Sequence, residues 1–178
     1  MRFLFPIAAL LLTGCRQDPP LDRIEILRVV QNEAGFQAPL AVTIPRVVEA
    51  GCGQAPSTAK GWAKLLAARV IELSTVRSGC EAVLTAETRQ ILGVRTSTPL
   101  TPELEIPVAR RNIVSVDNEY SSGGSVDITF TWNWDPNEIG RRVGLPSKFF
   151  RGRAELQIVR DIWTAVRVDV DETPDPLQ

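Results

Sequence analysis

The sequence predicts an α+β domain in which one or two N-terminal helices pack on a curved antiparallel sheet. One observation behind this prediction is the helical spacing of apolar side chains over residues 57–74. The other is a strict alternation of apolar and polar residues in the second half of the chain, which is typical of antiparallel strands with one solvated face. The chain has 178 residues, and we expect a single domain at 21–172 followed by a flexible tail at 173–178.

The N-terminal half of the domain contains two ambiguous segments. Residues 21–30 fit a strand face or a helical face equally well, and residues 81–92 also fit a helix or a strand. Residues 40–48 predict a short strand, which Pro45 places toward a sheet edge because proline donates no ladder hydrogen bond. The helix over 57–74 is predicted to begin with Ser57 as its N-cap.

The C-terminal half predicts a meander of strands. Residues 112–120 and 125–134 form a hairpin across a glycine-bearing loop at 121–124. Residues 153–160 and 162–170 alternate in the same way and meet at a tight turn. One face of the strand at 125–134 carries only apolar side chains, namely Val126, Ile128, Phe130, Trp132 and Trp134.

A short helix is predicted between these two pairs of strands. Asp135 has the chemistry of an N-cap, Pro136 suits the first helical position, and Glu138 suits the third. We expect this helix to end at about Val143.

The stretch from Thr129 through Val170 resembles the C-terminal strands of small NTF2-like periplasmic proteins. The residues that carry this resemblance are Trp132, Trp134, Pro136-Asn137-Glu138, Gly140 and Trp163. It covers about a quarter of the chain, and it implies a sheet curved into a cone, as in the NTF2-like and cystatin-like folds.

Residues 1–14 have the features of an export signal. Met1-Arg2 gives a short positive start, and the apolar stretch from Phe3 to Leu12 is too short to span a bilayer, which needs roughly twenty residues. The four residues Leu12-Thr13-Gly14-Cys15 resemble the lipobox of bacterial lipoproteins. This resemblance implies cleavage before Cys15, a diacylglycerol on its thiol, and a domain that faces the periplasm. The alternative is an ordinary secretory signal with a chance cysteine.

Residues 15–20 form a short tether in this interpretation. Two or three acyl chains hold a protein far more firmly than one chain, so the predicted partner is the membrane itself. Arg16 follows the lipidated cysteine, where enteric bacteria place aspartate to retain lipoproteins at the inner membrane, so the resemblance favours the outer membrane.

Cys52 and Cys80 are the two cysteines besides the predicted anchor. Two thiols in an oxidising compartment usually pair, and closing this loop adds roughly 3–4 kcal/mol in the chain-entropy model. Two buried free thiols are the alternative. We expect no metal site and no cofactor, because the chain has no histidine.

Three patterns in the sequence are candidates for catalytic or metal-binding sites. Ser57 and Lys60 have the Ser-x-x-Lys spacing of penicillin-binding proteins, but the Ser-Asp-Asn and Lys-Thr-Gly motifs are missing, so a capping serine and a solvated lysine are favoured. Paired carboxylates across the hairpin and an acidic C-terminal end could act in catalysis or bind calcium, although surface carboxylates usually only solubilise. These carboxylates are Asp117, Glu119 and Asp127 on the hairpin, and Asp169, Asp171 and Glu172 at the end.

Two groups of residues are candidates for contact with a ligand or partner. A basic cluster could bind an anionic partner and comprises Arg141, Arg142, Lys148, Arg151 and Arg153. Trp132, Trp134 and Trp163 could line a cavity inside a cone, but their period-two spacing favours ordinary core positions.

These observations predict a non-enzymatic binding or interaction module on a lipid anchor, with an unknown protein or small molecule as partner. The alternatives are an immunity lipoprotein against a secreted toxin that attacks the cell wall or membrane, and a carrier of lipids or muropeptides. Nucleic acid is not an expected partner, because 20 basic residues are balanced by 21 acidic ones.

Overall fold

The computed structural model describes residues 21–94, 101–122 and 124–171. The predicted signal peptide, Cys15, the tether and the C-terminal tail lie outside the described residues, as does Gly123 of the predicted hairpin loop. Within the described residues the chain has an α+β fold with a curled antiparallel sheet, which confirms the predicted fold class at that level.

The described residues form six helices and two antiparallel sheets. The helices are α1 (Arg23–Gln31), α2 (Ala34–Gln37), α3 (Ala55–Thr58), α4 (Trp62–Ala67), α5 (Ala86–Leu92) and α6 (Glu138–Arg142). The strands are β1 (Leu40–Pro45), β2 (Val47–Val48), β3 (Ile71–Val76), β4 (Gly79–Leu84), β5 (Glu103–Ser122), β6 (Ser125–Pro136), β7 (Phe149–Val159) and β8 (Ile162–Val170). The large sheet has the order β1-β5-β6-β7-β8 and the small sheet has the order β2-β4-β3.

Helix α1 resolves the ambiguity of the first segment. Asp22 caps it by accepting a hydrogen bond from the backbone N–H of Glu25 at 2.7 Å. Ile26 and Val30, four residues apart on one helical face, are buried, and the helix contacts β5 and β8. Of the two alternatives that the sequence left open, the chain therefore adopts the helical one, with these two apolar residues in the core.

The helix predicted over residues 57–74 is wrong in its extent and in its cap. The chain forms the short helices α3 and α4 there, followed by strand β3. Gly61, at φ 87°, separates the helices, and Arg69, at φ 55°, turns the chain before the strand. Ser57 lies inside α3 and donates its hydroxyl to the carbonyl of Gln54 at 2.8 Å, so it is not the N-cap.

Two other segments each form two elements where the sequence predicted one. Residues 81–92 contain most of strand β4 and all of α5, whose N-cap Thr85 accepts from the N–H of Thr88 at 3.2 Å. Residues 40–48 divide between β1 and β2, which belong to different sheets. Strand β1 is an edge strand of the large sheet, as expected from Pro45.

The short helix α6 begins later than predicted. Asn137 is its N-cap and accepts from the N–H of Gly140 at 2.9 Å, whereas Pro136 is still the last residue of β6. Asp135 is therefore a strand residue. Gly140 is required because a Cβ there would overlap the carbonyl oxygen of Val108 on β5.

The tight turn predicted between the last two strands is present. Arg160 and Asp161 have φ values of 53° and 66°, and Val159 pairs directly with Ile162. Two consecutive positive φ angles fit a two-residue hairpin, because such a turn matches the twist of the strands.

Cys52 and Cys80 lie at disulfide distance, with 2.07 Å between their sulfur atoms and 5.0 Å between their Cα atoms. The bond joins the loop before α3 to strand β4, so it ties that loop to the small sheet.

Candidate functional site: a charged groove on the large sheet

Alternation along β6 and β7 separates an apolar face of the large sheet from a charged one. Val126 and Phe130 point into the core, whereas Asp127, Thr129 and Thr131 point the other way. Because β7 alternates in register with β6, its charged side chains lie on the same outer face.

The outer face consists of cross-strand rows that the strand register sets. One row runs through Tyr120, Asp127, Glu155 and Arg167. The next runs through Asn118, Thr129, Arg153 and Asp169. A third brings Thr131 opposite Arg151, and the N–H of Asp171 donates to the carbonyl of Arg151 at 3.3 Å.

Two adjoining hollows, of about 390 and 510 Å³, lie over these rows. They share Asn118, Thr129 and Arg153 in their linings and so form one continuous groove. The groove is lined by five carboxylates and three guanidinium groups, namely Asp117, Asp127, Glu155, Asp169, Asp171, Arg151, Arg153 and Arg167. We call this surface the outer groove.

Asp117 is a carboxylate of the outer groove that is held by two side-chain hydrogen bonds. It accepts hydrogen bonds from the hydroxyls of Ser115 at 2.7 Å and Thr131 at 2.8 Å. These hydrogen bonds, with smaller contributions from the charges of Arg151 and Arg23, lower the pKa of Asp117. An irregularity in the pairing of β5 with β6, between Val116 and Asn118, accompanies this position.

The structure divides the predicted hairpin carboxylates between two surfaces. Asp117 and Asp127 lie in the outer groove, whereas Glu119 pairs with Ile128 and lines a different hollow. The carboxylate directly across from Asp127 is Glu155, which the sequence analysis did not identify. Its alternation on β7 was visible, but only the register with β6 shows that the two carboxylates are neighbours.

The acidic end of the chain takes part in the same groove. Asp169 forms an ion pair with Arg167 at 2.7 Å, and Asp171 lines the larger hollow. Glu172 lies outside the described residues. In the part of the chain that the structure describes, no three metal-ligating side chains are grouped so that they could hold an ion.

The structure divides the residues of the predicted basic cluster between α6, the segment before β7, and β7 itself. Arg141 and Arg142 lie on α6, where Arg142 is bonded to Glu87 and Glu138, and Arg141 donates to the carbonyl of Pro136. Arg151 instead pairs with Thr131, five residues back along β6 from Pro136, which corresponds to roughly 17 Å of strand. Lys148 precedes β7, and only Arg151 and Arg153 reach the outer groove.

The tryptophans occupy two different environments. Trp132 and Trp134 are 0% and 2% exposed and pack edge to face with ring centroids 5.3 Å apart, which places both in the core. Trp132 also stacks on Phe150 at 4.7 Å. Trp163 is only partly buried and lines surface hollows beside α1 and the β5–β6 hairpin.

Arg111 is a partly buried charged residue that the sequence patterns did not indicate. Its guanidinium lies over Trp134 at 4.8 Å and over Trp132 at 5.4 Å, and it donates to the carbonyl of Gly35 at 2.8 Å. Burial lowers its pKa. The Arg111 Nε and Trp134 Nε1 atoms are buried without a hydrogen-bond partner among the described residues. The available signal was a charged residue alternating with Ala109 and Ile113 on β5.

The Ser-x-x-Lys spacing does not correspond to a helical turn. Helix α3 ends at Thr58, so Lys60 lies beyond it in the link to α4. Because the hydroxyl of Ser57 donates to a backbone carbonyl, the geometry favours its structural role.

Comparisons with known proteins give no relative for this chain. No family model matches it, and neither the curated proteins nor the solved structures provide a match. None of the helices in the described residues has the length and apolar character needed to cross a bilayer.

Proposed function

We propose that this chain is a lipoprotein of the bacterial envelope, anchored by lipid on Cys15, whose domain is a non-enzymatic binding module in the periplasm. The support for the anchor is the pattern of residues 1–15, in which a positive start and an apolar core precede Leu12-Thr13-Gly14-Cys15. The residue after the cysteine, Arg16, supports the outer membrane as its location.

The outer groove is the observation that carries the binding proposal. Its charged side chains stand on paired strands, which fix their spacing before any ligand arrives. Since the rows contain both carboxylates and guanidinium groups, the groove suits a partner that itself carries both signs of charge, such as an amino- and carboxyl-bearing peptide segment.

The electrostatics of Asp117 support binding rather than catalysis. A carboxylate whose pKa is lowered is a weak proton acceptor near neutral pH, and the hydroxyls of Ser115 and Thr131 already occupy it. Asp117 therefore serves better as a fixed negative charge than as a general base.

We infer the NTF2-like or cystatin-like cone as the finer description of the fold. In support, four long antiparallel strands follow in the order β5-β6-β7-β8, and α1 contacts both outer strands of that set. An experimental structure in which α1 lies outside the curl of the sheet would contradict the inference.

The carrier alternative has less support than the binding module. A carrier needs tryptophans that line a cavity, whereas Trp132 and Trp134 pack against each other and against neighbouring rings. An immunity lipoprotein remains a narrower form of the proposed binding module, with the toxin as the partner in the groove.

A capture experiment with a charge reversal tests the groove. The full chain, displayed on cells from its anchor, is cross-linked to envelope components as wild type, as Arg153→Glu and as Arg110→Glu. Arg110 is the matched control, because it is an exposed arginine of the same sheet that pairs with Asp135 outside the groove. We expect wild type and Arg110→Glu to capture the same partner and Arg153→Glu to lose it. Equal capture by all three would contradict the groove as the binding surface.

Metabolic labelling tests the anchor. Labelled palmitate should enter the wild-type chain and should be absent from a Cys15→Ala chain, because the thiol of Cys15 is the proposed site of lipidation. Unlabelled wild-type protein would contradict the lipoprotein assignment.

A further inference from the structure

A second surface, separate from the outer groove, lies around Leu21 and Trp163 and mixes apolar with polar side chains, among them the carboxylates of Glu33 and Glu119. Leu21, the first described residue, lines a hollow of about 340 Å³ together with Trp163 and the tip of the β5–β6 hairpin. Trp163 also lines a hollow of about 300 Å³ with Arg28 and Ile162. The two hollows therefore adjoin at Trp163.

Three exposed side chains of this surface are large and apolar. Ile24 on α1 is 76% exposed, Ile162 on β8 is 63% exposed, and Val159, which pairs with Ile162, is 44% exposed. We define the Trp163 surface as the set of Leu21, Ile24, Val159, Ile162 and Trp163 around the turn of the β7–β8 hairpin. Val159 and Ile162 extend from the outer face of the sheet there, and Trp163, which pairs with Ile158, extends from the inner face.

We propose that the Trp163 surface docks the domain on the lipid headgroup region of the membrane that holds its anchor. This inference rests on the proposed lipoprotein function. Cys15 and Leu21 are six residues apart, so the chain between them spans at most about 22 Å in any conformation. The surface that contains Leu21 is thus kept within that distance of the bilayer.

The chemistry of the Trp163 surface fits the boundary between headgroups and acyl chains. Tryptophan is favoured at that depth because its ring is apolar and its N–H is polar. Moving isoleucine side chains out of water lowers the free energy. Arg160, in the β7–β8 turn between Val159 and Ile162, adds a cation that suits phosphate oxygens, and Asp161 adds one carboxylate in the same turn. The nearby carboxylate of Glu25 is bonded to Arg28 at 2.6 Å, which offsets its repulsion of a phosphate.

Docking in this way determines which surfaces stay accessible. The Trp163 surface includes the end of β7 at Val159, whereas the outer groove includes Arg151 and Arg153 on the same strand. A domain resting on the Trp163 surface leaves the groove open to the periplasm. The inference thus assigns one surface to the membrane and another to the partner.

Quenching of tryptophan by lipids with brominated acyl chains tests the docking. The full chain is purified with its acylation and reconstituted in phosphatidylethanolamine–phosphatidylglycerol vesicles that contain brominated phosphatidylcholine. Ile162→Trp places a reporter on the proposed surface, and Phe149→Trp is the matched control. Phe149 is 66% exposed and begins strand β7, roughly 33 Å from its other end at Val159.

We expect the added tryptophan of Ile162→Trp to lose at least half of its emission in brominated vesicles, and that of Phe149→Trp to lose almost none. Trp62, Trp132 and Trp134 are at most 2% exposed, and Trp163 is common to wild type and both variants, so subtracting the quenching of the wild-type chain leaves that of the added tryptophan. Adding Ile24→Asp to Ile162→Trp should reduce the quenching by at least half, while near-ultraviolet circular dichroism confirms that the fold is retained.

The outcomes separate the docking from the anchor on which it rests. Failure of the wild-type chain to float with vesicles would overturn the anchor and the docking together. Flotation with equal or absent quenching of the two reporters would overturn the docking alone. Emission from Ile162→Trp that changes with protein density and not with bromine would instead identify a second copy of the chain on this surface, which also overturns the docking.

Discussion

The two faces of strands β6 and β7 are built from alternate residues of the same segments, yet they have opposite physical roles. The inner face packs Phe130, Trp132 and Leu156 at 0% exposure, whereas the outer face exposes Asp127 and Arg153. Burial of the aromatic face supplies the stability that holds the backbone. The outer groove uses that backbone as a rigid support, so its side chains can change with little effect on folding.

The largest effect is expected on the inner face. Trp132→Ala removes a ring that contacts Phe36, Trp134 and Phe150 and should cost roughly 3–5 kcal/mol of unfolding free energy. The neighbouring outer-face substitution Thr131→Ala should cost about 1 kcal/mol or less. Urea unfolding followed by far-ultraviolet circular dichroism measures both free energies of unfolding. Equal losses in the two variants would contradict the different roles of the two faces.

A smaller loss of unfolding free energy is expected at Gly152, an inner-face position of β7. Gly152 lies under the Phe130 ring, and a Cβ there would overlap ring carbons, so the ring must shift in Gly152→Ala. We expect a loss of about 1–3 kcal/mol from this overpacking. The control is Gly51→Ala, where no atom lies within 4 Å of the added Cβ. A Gly152→Ala protein as stable as the control would show that the packing of Phe130 does not depend on the glycine.

Asp117 should make a pH-dependent contribution that the inner face does not make. Because its pKa is lower in the folded protein, its contribution is present above the unfolded pKa of about 4 and is lost as the pH falls through the folded pKa. Asp117→Asn should therefore be less stable than wild type at pH 7, with the difference shrinking below about pH 4. Parallel unfolding curves at pH 7 and pH 3 test this, and a difference that grows on acidification would have the wrong sign.

The smallest effect on stability is expected for Arg167→Ala. The side chain is 70% exposed and pairs with Asp169 on the surface, so its removal should cost less than about 1 kcal/mol. Partner capture should nevertheless weaken, because Arg167 lines the outer groove. A protein that loses more stability from Arg167→Ala than from Gly152→Ala would show that the outer face is structural.

Period-two alternation made the paired strands predictable from the sequence, and helical spacing was less reliable. The hairpin of β5 and β6 and the turn at Arg160 and Asp161 follow from local patterns that the large sheet reinforces. The segment after Ser57 has apolar residues at helical spacing, but the left-handed conformations of Gly61 and Arg69 divide it. Tertiary contacts of β3 with β4 favour a strand there, and such contacts are invisible in a local window.

Three features could be predicted from the sequence alone: which residues of each strand share a face, the pairing of Cys52 with Cys80, and the mixed α+β class. Only the tertiary structure decided which charges become neighbours, because register and curl join residues that are distant along the chain. Asp127 meets Glu155, and Arg111 covers Trp134, through strand pairing alone. The basic residues near α6 likewise belong to two different elements, since Arg141 and Arg142 lie on α6 and Arg151 and Arg153 on β7.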